Sequence, residues 1–478
     1  MKKILALFLA LLMLAIPLVS CDTDTPKDTD TDTEAPETDI PSLNEDDEEL
    51  FIGYGRELLT PYDENGVLIE GYTLAGVAEK RLALSVKNDL YASCTAAKDK
   101  DGNVALIYSV DLHSMNATTG TALQTAVSEA TGVPADNIIF NATHAHTAIT
   151  TTDFFDHLAE KLSTCAKTAL ADLTLVTELY TGTLTIDKMN FTRSYETDKN
   201  GTEIAHLWDN DHTMPVIKFV REGKKDVILA NWAAHCDTVM SSQPNVISAD
   251  YVDSFRKTAE EALDAHVTIH LGASGDVNPS SRIAGEARYL GTDYYGKQLA
   301  NALVDGMTSL ERQSIKSSVK SDTNKVRVEC DHSDDARGED ATEIMELFWN
   351  SGNKLTQEIR TLIKEKGFTD IYDAMFVRNR YASAPYERVT VGAISIGNAV
   401  FAFAPYEMFS ANGKNVKDSA DEFDVAFICS LTNGNKSYIA SEEAFAYDTY
   451  EVRSRRYVKG TAELLQDAMI AIIDELGK

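Results

Sequence analysis

Positive charge is scarce in this chain: 44 lysines and arginines stand against 75 acidic residues, a formal net charge of −31 over 478 residues. A surface that acidic repels phosphate backbones, which nucleic-acid-binding proteins meet with a cationic footprint. No nucleic-acid partner is therefore expected, and broad adsorption to anionic lipid head groups is disfavoured as well. Cysteine is scarce too. After Cys21 there remain Cys94, Cys165, Cys236, Cys330 and Cys429, far apart and with no CxxC pair. That spacing argues against a zinc ribbon or a disulfide scaffold and leaves buried inert thiols as the expectation. No HExxH occurs, which excludes the helical zinc-protease motif, and no glycine-rich turn ends in Gly-Lys-Ser/Thr, which excludes a phosphate loop. Beyond residue 20, no stretch approaches the ~20 apolar residues of a spanning helix.

What is present begins with Met1-Lys2-Lys3 and an apolar run from Ile4 to Val19. This is the charged n-region and apolar h-region of an export signal. Leu18-Val19-Ser20-Cys21 has the form of a bacterial lipobox, which implies cleavage before Cys21 and lipidation of its thiol. Residues 22–50 hold thirteen acids and one lysine. Such a segment cannot offset its ordering entropy, and its like charges extend it. The expected organisation is a signal peptide over 1–20, a lipidated cysteine and disordered acidic tether over 21–50, and a single large catalytic domain over 51–478. The expected location is extracytoplasmic, as a membrane-anchored bacterial lipoprotein facing the cell surface or the periplasm.

Three segments of the domain alternate strand, helix and strand. The first runs from Val104–Val110 through an amphipathic helix carrying Leu123, Val127 and Ala130 to Asn137–Ala142. The second runs from Val227–Ala234 through a helix over roughly 250–265 to Val267–Leu271. The third starts at Ala393–Ile396, turns at Gly397-Asn398, a two-residue hairpin signal, and continues through Ala399–Phe403 and a helix to Asp424–Ile428. The pattern predicts an α/β fold, with central mixed β-sheets covered by helices. Residues 338–366 read as one long, mostly solvated helix, and 455–477 as an amphipathic helix packed on the body.

Candidate chemistry sits at strand ends. His144 and His146 follow the first unit, and alternate positions of an extended chain point to one side. His235 follows the apolar run ending Trp232-Ala233-Ala234. Glu407 follows Ala402–Tyr406. Open α/β sheets build their sites at carboxyl ends of strands, and two histidines plus a carboxylate with an open position form a known catalytic zinc arrangement. Taken singly, His235 reads as a core histidine and Glu407 as a first-turn helix acid. The turn Gly272–Pro279 reads either as a tight turn in which Asp276 caps backbone amides or as a loop that approaches a ligand closely.

Five strings, in order, resemble motifs of the neutral ceramidase family. Residues 141–148, NATHAHTA, resemble its THTHSGP motif. AAHCDTV with the downstream ISADYVDSF resembles its second histidine motif, GASGDVNP its GDVSP segment, APYEMF its PGE segment, and Tyr438–Glu451 its C-terminal tyrosine block. The resemblance runs from about Gly53 to the C-terminus. It implies zinc ligation by His144, His235, Glu407 and Tyr438, with His146, Arg193 and Tyr450 polarising the substrate carbonyl. It implies hydrolysis of the amide of ceramide-like N-acyl lipids, with zinc-bound hydroxide attacking the carbonyl. The sequence departs from the family where Asn278 replaces the serine of GDVSP and Tyr406 the glycine of PGE. Asn278 is expected to orient substrate or water, since an amide cannot be acylated. A zinc hydrolase of another amide or ester, and a non-catalytic ligand-binding lipoprotein, are the competing readings.

Overall fold

Strand Val104–Val110 shows how the sequence sets the layers. Leu106, Tyr108 and Val110 enter one core and Ala105 and Ile107 another, because successive side chains leave opposite faces of a strand. The same alternation recurs in strand Ala399–Phe403: Phe401 and Phe403 face the core that holds Ile107, while Val400 and Ala402 face a third. Strands buried on both faces read as continuous apolar runs, which is why these segments were legible. The computed structural model describes residues 43–286 and 291–478. The segments expected to be a signal peptide and most of an acidic tether, with Cys21 between them, lie outside the described residues.

Two sheets pack face to face with helices outside them. The larger, nine-stranded sheet runs in the order His266–Leu271, Val227–Trp232, Thr213–Arg221, Thr174–Thr185, Phe51–Leu58, Tyr91–Lys98, Val104–Val110, Ile138–Ala142, with Glu311–Gln313 added beside Thr174–Thr185. Its two ends are parallel pairs and its middle is antiparallel, so it is a mixed sheet. The smaller sheet orders Val319–Glu329, Tyr386–Ile396, Ala399–Phe403 and Val425–Cys429. Ile107, Ile139, Phe219, Leu229, Ile394, Phe401 and Phe427 fill the space between them; each such side chain contributes about 1.5–3 kcal/mol by leaving water. Helices Ala117–Thr131, Phe155–Ala171, Tyr251–Leu263 and Thr292–Gly306 cover the large sheet, and Ser410–Asp418 and Thr461–Leu476 cover the small one. The α/β architecture with helix-covered mixed sheets is the one the sequence predicts.

Three expectations need correction. Residues 338–366 form two helices, Gly338–Asn350 and Gln357–Glu365. Gly352 takes φ 72 between them, a conformation that costs a residue with a Cβ, and Thr356 caps the second helix. Nor is the segment mostly solvated, since Ile344, Phe348, Ile359 and Ile363 share a core with helix Ile371–Tyr381. Second, the acidic tether does not extend to residue 50. Leu50 is fully buried, Asp47 accepts from the Ile315 amide at 2.8 Å, and Glu48 accepts from the Ser317 amide at 2.7 Å. Those carboxylates find donors that the preceding residues were not expected to find. Third, residues 143–146 do not continue as extended strand: His144 has φ 65.

The five described cysteines are free and buried. Among the described residues no helix is long and apolar enough to cross a membrane.

Candidate metal centre

The carboxyl ends of the strands bring the candidate residues together. His144 lies just past strand Ile138–Ala142, in a left-handed conformation that is unfavourable for a histidine by about 1–2 kcal/mol. Strain of this kind persists where the surroundings enforce it and gathers at functional sites. Here the Ala145–Cys236 bridge and the His146 amide, donating to the Cys236 carbonyl at 3.0 Å, enforce it. They tie the first histidine segment to the one carrying His235. Glu407 and Tyr438 face each other as register partners in a short parallel ladder. Glu407 is thus a strand residue; the helix it was read against starts at Ser410.

The hydrogen bonds fix the tautomers. His144 Nδ1 lies 2.9 Å from the His113 carbonyl and His235 Nδ1 lies 2.8 Å from the Ser274 carbonyl. A carbonyl only accepts, so both Nδ1 atoms carry the proton and both Nε2 atoms offer a lone pair. Metal-binding histidines are oriented by this kind of backing. The two Nε2 atoms each lie 3.3 Å from Glu407 Oε2, and the Tyr438 hydroxyl lies 3.3 Å from His235 Nε2. Glu407 Oε2 is buried and makes no hydrogen bond. A tetrahedral ion with bonds of about 2.0 Å holds its ligands about 3.3 Å apart, so the set fits zinc.

Electrostatics point the same way. Burial disfavours charge on Glu407, yet the neighbouring imidazoles hold its carboxyl well below the usual range. Burial, then the cation of Arg193, lowers the His235 pKa; burial, then the adjoining imidazoles, lowers that of His146 well below its ordinary value. His235 and His146 thus both resist protonation. The Tyr438 phenol is pushed well up by burial, with Arg193 opposing.

The residues expected to polarise a carbonyl ring this group. His146 Nε2 is 3.1 Å from His144 Nε2, and Arg193 Nη1 is 3.1 Å from His235 Nε2. Arg193 is held by Glu451 at 2.6 Å, and its Nη2 is buried without a partner. Its guanidinium carbon lies 5.2 Å from the Tyr438 ring and 5.8 Å from the Tyr450 ring. Strand Phe191–Thr192 pairs with Val277–Asn278, so one ladder positions both Arg193 and Asn278. Arg193, Asn278 and Tyr450 line one cavity of about 580 Å³, with Tyr195, Leu207 and Tyr447. The Asn278 carbonyl oxygen is buried and unpartnered. Asp276 caps an amide, as one reading had it, but a distant one: it accepts from the Ser410 amide at 2.8 Å and from Trp208 Nε1 at 2.8 Å.

Sequence reasoning missed His113, whose ring lies 4.5 Å from that of His144 and 4.7 Å from that of His146. It follows strand Val104–Val110 as His144 follows its own strand, so the strand-end signal was there to be used. Arg81 and Gly76 were missed as well. Arg81 donates to the His146 carbonyl at 2.8 Å. A Cβ at Gly76, which has φ 94, would stand 2.8 Å from the His146 ring. Neither carries a pattern signal, because both act through a loop.

No family model matches the sequence, and no curated protein matches it. Solved structures do. Neutral ceramidase from Pseudomonas aeruginosa superposes with a TM-score of 0.68 at 15% identity, covering 90% of this chain and 75% of that one. A ceramidase complexed with C2 superposes at 0.66 and 14% identity, with the same coverage. The chain has a neutral ceramidase-like fold.

Proposed function

We propose that this chain is a zinc-dependent amidohydrolase of N-acyl lipids, held outside the cytoplasm by a lipid on Cys21. The observation that carries this reading is the convergence of His144 Nε2, His235 Nε2 and Glu407 Oε2, with the carboxylate oxygen lacking any donor. His144, His235, Glu407 and the Tyr438 hydroxyl would hold a zinc ion, which would supply Lewis acidity for polarising a carbonyl and activating water near neutral pH. The remaining work falls to the chain. In the structure the His146 Nε2–H and the Arg193 Nη1–H cover the lone pairs of His144 and His235. Once those lone pairs are engaged elsewhere, both N–H groups are free to face the substrate. Together with the Tyr450 hydroxyl they are donors for the oxygen that gains charge as the amide carbonyl is attacked, the interaction that stabilises such transition states most. Glu451 keeps Arg193 aimed. Asn278 offers its carbonyl oxygen to the substrate N–H. The fold shared with a ceramidase complexed with C2 supports a lipid-like amide as substrate.

Purified protein should hold one zinc per chain and cleave N-acyl amides in a chelator-sensitive way. Zinc-loaded protein inert on a broad panel of N-acyl amides and esters would sink the hydrolase reading. In cells, Cys21→Ser should leave the protein unprocessed or released; normal cleavage with retention on the membrane overturns the anchor.

A further inference from the structure

A second cavity lies apart from the one lined by Arg193 and Asn278. It measures about 840 Å³, and Arg380, Lys436, Arg455 and Arg456 line it together with Ser114 and Ser437. No acidic residue is among its lining residues, in a protein whose net charge is −31. The smaller cavity, by contrast, has Glu203, Asp448 and Glu451 in its wall. The carboxylates that balance the four cations stand behind the wall. Asp334 pairs with Arg380 and Asp331 with Arg455, while Glu387 is shared by Lys436 and Arg456. Three carboxylates against four cations leave one positive charge over. It falls at Lys436 and Arg456, where the Arg456 Nη1 group and two of the ammonium protons have no partner among the described residues.

This cavity adjoins the metal centre. Ser114 follows His113, and its hydroxyl is 3.0 Å from His113 Nδ1 and accepts from Asn435 at 2.9 Å. Asn435 in turn accepts from the amide of Ser437, at 2.7 Å, and Ser437 immediately precedes Tyr438. Phe376, in the same wall, packs edge-on against Tyr450 at 5.7 Å. At physiological salt, charges beyond about 8 Å are largely screened, so the local excess outweighs the distant acidic surface.

We propose that this cavity binds an oxyanion carried by the substrate, so that the preferred substrates are N-acyl amides with an acidic head group rather than neutral ceramides. The proposal rests on the amidohydrolase reading and names the substrate class of the same site. Guanidinium and ammonium groups hold phosphate, sulfonate and carboxylate alike through charge-assisted hydrogen bonds, and the rim of serine, threonine and asparagine can complete the shell.

The test compares two amides of equal acyl length, an N-acyl taurine ending in a sulfonate and an N-acyl ethanolamine ending in a hydroxyl. Wild type should favour the sulfonate by about tenfold in kcat/KM, the worth of one charge-assisted hydrogen bond. Lys436→Gln should raise KM for the sulfonate and erase the preference, and Lys436→Arg should restore it. Asn379→Asp, which puts a negative charge into the cavity wall without removing any pairing of the four cations, should erase it too. Equal wild-type rates on both amides, or a preference that survives in folded Lys436→Gln and Asn379→Asp, overturns the proposal. If neither amide is cleaved, the amidohydrolase reading is what has failed. Calorimetry with inorganic phosphate then decides the cavity alone: binding by wild type that Lys436→Gln abolishes supports it, and no binding by wild type overturns it.

Discussion

Asp111 and Glu407 are both buried carboxylates placed just past an apolar strand. Around Asp111 every lone pair has a donor. Arg256 Nη2 donates at 2.8 Å and the Tyr91 amide at 2.8 Å, with Arg256 Nη1 at 3.4 Å and the Thr143 hydroxyl at 3.5 Å on the other oxygen. Around Glu407, one carboxylate oxygen faces two imidazole lone pairs and takes no hydrogen bond, and His146 Nδ1, Arg193 Nη2 and Asn278 Oδ1 nearby are equally unpartnered. Buried polar groups are almost always satisfied. A complete set of partners marks a charge that holds the architecture together; a clustered deficit marks a place where something from outside completes the set.

The difference can be broken by experiment. The largest effect is expected at His235→Ala, which removes a lone pair from the centre. Elemental analysis should find zinc lost and hydrolysis should fall by at least about 10³-fold, well beyond the 10–100-fold typical of outer residues; zinc retained with rates intact would dissolve the contrast. Arg256→Met should do the reverse. Removing one partner of a buried pair costs about 3–5 kcal/mol, so urea unfolding should shift strongly while the folded fraction keeps its zinc. Asn278→Ser sharpens the comparison, because it alters an unpartnered group without touching a ligand. Activity on the native substrate should stay level or fall by less than about tenfold. A gain of ceramidase activity where none existed would instead assign the serine a chemical role.

The smallest effect concerns pH. Burial raises Asp276 from 3.8 to about 6, against the donors Ser410 and Trp208. The folded state therefore binds this proton more tightly than the unfolded chain. On this account stability is greatest below about pH 4 and declines as pH rises towards 6. The stability of wild type relative to Asp276→Asn, followed by urea unfolding, should fall as pH rises across that range.

The sheet skeleton and the ligand positions were legible for one reason: strands buried on both faces are nearly continuous apolar runs, and each ends abruptly where chemistry begins. Thr174–Thr185 and Thr213–Arg221 escaped notice because polar and charged residues interrupt them, as Glu178 and Lys218 do. His144 and His146 were found through a mistaken route. An extended chain would bring them to one side, yet the kink at His144 is what brings their rings together. Docking of residues 43–50 was hidden because composition speaks for the average of a segment, while Leu50 and Asp47 act singly. His113 was overlooked for lack of a partner histidine beside it in sequence.

The ladder that sets Glu407 opposite Tyr438 also orders events in time. Tyr438 belongs to the last tenth of the chain, and domains made from the N-terminus onward present their early segments first. His144 and His235 are synthesised long before their two partners exist. On the proposed zinc reading, the coordination sphere would close only when the Tyr438–Ile439 segment docks beside Glu407, so metal would seal a finished fold rather than nucleate it. Zinc content would then be a readout of completed folding, and a chain cut short before Tyr438 should hold metal weakly however well its large sheet has formed.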